Sequence, residues 1–90
     1  MIPDLAAPTL RAAAAQRPWE RPSEFWQELT AATAEFSAPV VALSLAALVA
    51  NADDLARRAG GLPIRVASKS IRVRGVIEAV CALPGYRGVL

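Results

Sequence analysis

The stretch GGLPIRVASKSIRVRGV, residues 60–76, decides how this chain is read. Gly60-Gly61 is a helix stop, and Pro63 just beyond it bars the helix from resuming. "IRVAS" is then a short apolar run of strand length. The segment that follows, "SIRVRGVIEAVCALPG", places Val73, Val76, Ile77, Val80 and Leu83 at helical spacing until Pro84-Gly85 breaks it. The stretch also holds Lys69, the only lysine; the other nine basic residues are arginine.

Working outward, "YRGVL" at residues 86–90 predicts a further strand. On the other side, "LAALVANADDLARRA" carries Leu45, Leu48, Val49, Ala52, Leu55 and Ala56 on one stripe. Ser44 has the place of its N-cap, and Arg57 and Arg58 sit in its last turn before the glycines. Ahead of it, after Ser37-Ala38-Pro39, "VVAL" is long enough for a buried strand. The order is strand, helix, strand, helix, strand, which predicts right-handed βαβ units on a parallel sheet. The strands lack clear alternation, as expected when both faces are covered.

No helix follows the last strand, so a sheet ending at Leu90 would leave an apolar edge open. Three strands and two helices cannot close a barrel, which takes about 250 residues. The expectation is an N-terminal piece of a larger α/β protein. The alternative is a complete small domain that covers its edge with the N-terminal helix.

Residues 1–38 read as an extension. "RAAAAQR" suits one or two helical turns, and "RPWERP" interrupts them with Pro18 and Pro22. Ser23 has the place of an N-cap for "SEFWQELTAATAEF", with Phe25, Trp26, Leu29, Ala32, Thr33 and Phe36 near helical spacing. Glu24 and Glu28 in its early turns suit the helix dipole. This predicts an amphipathic helix that docks by its aromatic face.

Composition narrows the function. The 90 residues are 54% apolar and 20% charged, a globular composition of at most one small domain. A net charge of +2, with arginines scattered and no aromatic interleaving, gives no case for nucleic acid. There is no histidine and one cysteine, Cys81, which excludes metal sites built from those residues and both Ser-His and Cys-His dyads. Cys81, between Val80 and Ala82-Leu83, reads as a packing thiol. The opening "MIPDLAAPTLR" lacks the basic start of a signal peptide, and no apolar run reaches the ~20 residues that span a bilayer. A cytoplasmic protein without a membrane partner is expected.

Lys69 closes the second apolar run, at the end of the strand that faces the active site in parallel α/β folds. A lysine there is a candidate for covalent catalysis. To attack a carbonyl it must lose its proton, which desolvation and nearby cations promote. Arg65 and Arg72 lie four before and three after it, and Ser68 and Ser70 flank it. An ordinary solvated lysine is the plainer alternative.

"APVVALSLAALVANADDLARRAGGLPIRVASKSIR" resembles the start of the alanine-racemase-type barrel of the fold type III pyridoxal-phosphate enzymes. Their opening pattern, P-x-x-x-x-D-x-x-A-L-x-x-N, is matched at Pro39, Ala47, Leu48 and Asn51, with Ser44 in place of the usual aspartate. In the D-threonine aldolase and D-serine dehydratase branch the lysine strand has the form R-P-H-x-K-T-H-K. Here Arg65 and Lys69 keep their places, Ser70 replaces threonine and Arg72 replaces lysine. The wording is similar to that of bacterial proteins labelled amino acid deaminase/aldolase, from about Pro39 to Leu90.

The resemblance implies that residues 39–90 are the N-terminal βαβαβ portion of a (β/α)8 TIM-type barrel preceded by a helical extension. It implies pyridoxal 5'-phosphate as cofactor and a Schiff base at Lys69; Arg65 and Arg72 are its candidate cofactor contacts, the alternative for each being a structural arginine that caps the strand surface. The implied function is a lyase, deaminase or aldolase acting at the α-carbon of a small amino acid, with D- and β-hydroxy amino acids among the candidates. Family members often dimerise, so a homodimer of the full-length protein is part of the expectation. Ala67 and Ile71 stand where the branch has histidines, so roles of those side chains do not carry over. The asparagine-tyrosine pattern of true alanine racemases is also absent, which argues against simple racemisation. "AGGLP" precedes its strand, at the wrong end for a phosphate loop; phosphate groups are expected beyond Leu90, and no metal site is expected within these residues. The competing functions are a non-catalytic pyridoxal-phosphate carrier of the same barrel type and an α/β interaction module that binds through Phe25–Phe36.

Overall fold

A computed structural model describes residues 2–90. Helix α1 (Pro8–Ala15) is followed by a 3-10 turn (Pro18–Glu20), α2 (Pro22–Thr33), α3 (Leu45–Ala59), strand β1 (Ile64–Val66), α4 (Arg74–Cys81) and strand β2 (Tyr86–Val89). The architecture is mixed α/β, with four α-helices and a two-stranded parallel sheet.

Local signals place α3. The Ser44 Oγ accepts from the Ala47 N–H at 3.2 Å, and Gly60, at φ +59°, closes the other end with its N–H on the Arg57 carbonyl. Only glycine takes that left-handed cap without strain. β1 and β2 pair in parallel, with Ile64 opposite Tyr86 and Val66 opposite Val89. β2 therefore carries one residue more than β1 between those pairs. Gly88, at φ +94°, lies in that bulge.

Three expectations are corrected. The run Val40–Leu43 is not a strand: Val41 is 95% exposed, and among the described residues no backbone hydrogen bond reaches the run. Its composition suits a sheet, but a strand exists only where a ladder partner meets it. The expected three-strand βαβαβ order is therefore a single β1–α4–β2 unit preceded by helices. The last helix begins at Arg74 rather than near Ser70: residues 68–70 form a turn and Val73 stays extended at φ −100°. β-Branched Ile71 and Val73 resist helix there, and Val73 lies outside the core. Helix α2 starts at Pro22, with no side-chain cap from Ser23, because proline is itself preorganised for the first helical position.

The core consists of Leu5, Ala14, Val49, Ala52, Val76, Val80, Leu83 and Tyr86. Residues 2–17, which the sequence groups with an extension, supply two of these. α1 lies along α3, joined at its rim by Arg11 Nη2 to Asp53 Oδ2 at 2.5 Å. α2 packs chiefly on the 3-10 turn; none of its residues is fully buried, and Phe25, Leu29 and Thr33 are half-buried. Its aromatic face, with Phe25 and Trp26 edge to face at 5.4 Å, is not docked on the core.

Tyr86 ties the sheet to α3: its Oη donates to the Ala52 carbonyl at 2.8 Å. Burial, and secondarily the Asp53 carboxylate, push the phenol above its ordinary value of 10.0. The unfolded chain then loses this proton first, so the contribution is complete below about pH 10 and declines as pH rises beyond it. Urea midpoints measured from about pH 8 to pH 11 should fall more steeply for the wild type than for Tyr86→Phe. Equal slopes would contradict this.

Candidate functional site

Lys69 lies at the C-terminal ends of the two parallel strands, three residues after β1 stops. The turn that carries it is pinned from both sides. The Leu90 N–H donates to the Val66 carbonyl at 2.8 Å, and the Ser68 N–H and Oγ donate to the Leu90 carbonyl at 3.4 and 3.3 Å. The Ser70 N–H closes the turn on the Ala67 carbonyl at 3.2 Å. Lys69 itself is exposed.

Lys69 shares an open pocket of about 470 Å³ with Ser68, Arg72, Arg74, Ile77 and Glu78. Arg74 Nε donates to Glu78 Oε1 at 2.7 Å, and this bond holds the guanidinium more firmly protonated than usual. Arg74 is thus already paired. Lys69 and Arg72 have no carboxylate at ion-pair distance among the described residues, and neither do Arg65 and Arg87. The pocket therefore presents an amine and a free guanidinium on one rim, with a hydroxyl between the turn and β2. Such a set can capture a carbonyl carbon and hold an anionic group beside it.

Of the residues read from sequence, the fold brings Lys69 and Arg72 together and separates Arg65 from them. Arg65 borders a neighbouring groove of about 310 Å³, walled by Leu48 and Leu55 of α3, Ile64 and Val66 of β1, and Ile71. Ile77 lines both spaces, so the pocket and the groove adjoin. Gly60 and Gly61 lie before β1, at the end away from Lys69. Cys81 is half-buried, its Sγ 3.9 Å from the Gly88 carbonyl. The Arg74–Glu78 pair was not singled out from sequence, although its i,i+4 spacing on a helix is the signal that would have found it. No protein-family model, curated protein or solved structure matches this chain.

Among the described residues no group of three or more acidic, histidine or cysteine side chains could hold a metal ion, and no helix is long and apolar enough to cross a membrane.

Proposed function

We propose that this chain carries the lysine-bearing portion of a pyridoxal-phosphate-dependent lyase or deaminase that acts at the α-carbon of a small amino acid. The observation that carries the reading is the placement of Lys69 beside the unpaired Arg72, at the mouth of a parallel β–α–β unit. The donor set suits pyridoxal 5'-phosphate: an amine for its aldehyde, and a guanidinium for an anionic group. When bound, that cofactor supplies an electron sink for negative charge at the substrate's α-carbon. Lys69 holds it through Nζ. Arg72 orients the anionic side, while Arg74 stays with Glu78. Arg65, on the adjoining groove, plays no direct part in this pocket. The open side of the pocket is where a covering element must come to exclude water. The separate reading as an interaction module is favoured by one observation, the undocked aromatic face of α2.

Because Lys69 is the only lysine, borohydride trapping is unusually clean: the α-amino group is its one competing amine. Incubation with pyridoxal phosphate and reduction should place a pyridoxyl group on the Lys69 peptide. Labelling should be several-fold greater in the native chain than in urea, where the fold no longer aligns Arg72 with the amine. Arg72→Ala should remove that advantage. Equal labelling of native and unfolded chains, or a label confined to the N-terminus, overturns the reading.

A further inference from the structure

The large apolar side chains left exposed among the described residues fall into two sets. One lies on the arm between the 3-10 turn and α3: Trp26 and Phe36, each 60% exposed, with Val40, Val41 and Leu43. The other surrounds the sheet: Leu55, Leu62, Val73, Val89 and Leu90. Leu55 opens on the apolar groove beside β1, whose outer edge has no partner strand among the described residues.

Charge divides along the same line. From Pro22 to Ser44 the chain has three acids, Glu24, Glu28 and Glu35, and no basic residue. From Gly60 to Leu90 it has five basic residues and one acid, Glu78, which Arg74 already engages. The free cations Arg65, Lys69 and Arg72 border the groove or the pocket that adjoins it. On α2, Phe25, Trp26, Leu29 and Thr33 fall within one arc of about 100°, and Glu28 flanks that arc. Glu24 is taken up by Arg21, at 3.4 Å, which leaves Glu28 as the free acid beside the apolar stripe, and Arg65 is the cation on the wall of the apolar groove; the two match as a helix seated in a groove does.

Within one chain the two surfaces lie on different flanks of α3. α1 occupies the flank of Val49, Ala50 and Asp53, and the root of α2 is tied to it through Arg21 Nη1 on the Gln16 carbonyl at 3.4 Å. Leu48 and Leu55 face the other flank, over the groove. We propose that a second copy of this chain fills the groove: each copy seats α2 between α3 and β1 of the other, with Trp26 in the groove and Glu28 against Arg65. Such a reciprocal contact is self-complementary and closes at two copies. It rests on the arm and the groove alone and does not need the chemistry at Lys69.

Sedimentation and light scattering over a concentration series, on a Trp19→Phe background so that Trp26 is the only indole, test this. A dimer is expected, with Trp26 emission shifting to the blue and iodide quenching falling as it forms. Leu55→Asp should weaken association at least tenfold; the site is on the surface, so the fold survives. Glu28→Arg and Arg65→Glu should each weaken it about as much, and the double exchange should recover most of the loss. Lys69→Arg, which keeps the charge but has no amine to condense with an aldehyde, should leave association intact while abolishing pyridoxyl labelling at that position, which separates failure of this inference from failure of the catalytic one. A monomer with Trp26 freely quenched overturns the proposal. So does a monomer with Trp26 shielded, which would mean closure within one chain. A dimer indifferent to the charge exchange, which would mean another face, overturns it as well.

Discussion

Replacing Tyr86 with alanine should remove about 3–5 kcal/mol of stability, the range for truncating a buried aromatic. A chain of this size has roughly 5–13 kcal/mol in total, so the variant should sit at the edge of unfolding at room temperature. Tyr86 is 6% exposed and belongs to the single core cluster, where it links β2 to α3 across 34 residues of sequence. Tyr86→Phe keeps the ring and loses only the bond to the Ala52 carbonyl, which should cost about 0.5–1.5 kcal/mol. Urea denaturation of both variants separates the apolar contribution from the polar one. Losses of equal size would mean that the hydroxyl, not the ring, holds the strand to the helix.

Leu5→Ala should cost about 2–5 kcal/mol, lowering the thermal midpoint by roughly 8–40 °C in a domain this small. Leu5 is 0% exposed, and its carbonyl accepts from Arg11 Nη1 at 3.4 Å, the same arginine that pairs with Asp53. Val41→Ala is the matched control. At 95% exposure Val41 has almost nothing to lose, and its change should stay within about 0.5 kcal/mol. The reverse ranking, with Val41 sensitive and Leu5 indifferent, would mean that the N-terminal segment is detached and that Val40–Leu43 is a buried strand after all. Circular dichroism melts of the two variants decide between these arrangements.

The sequence by itself determined the elements whose ends are written in local chemistry. α3 runs from the Ser44 cap to the Gly60 stop because both ends satisfy backbone groups with residues only a few positions away. The breaks ahead of β1 and β2, at Pro63 and at Pro84-Gly85, are local signals as well, and the position of Lys69 just beyond β1 follows from the run that precedes it. Tertiary structure alone decided what depends on a distant partner. Val40–Leu43 has strand composition but, among the described residues, no ladder to join. Leu5 and Ala14, set among alanines and prolines with no apolar period to mark them, are core because α1 meets the Val49 flank of α3. Arg65 and Arg72 are near-equivalent by spacing from Lys69, yet only Arg72 shares its pocket, because the turn at residues 68–70 redirects the chain between them. Caps and turns are short-range hydrogen bonds that a few residues can specify. Burial and strand pairing belong to surfaces that exist only once the chain has closed on itself.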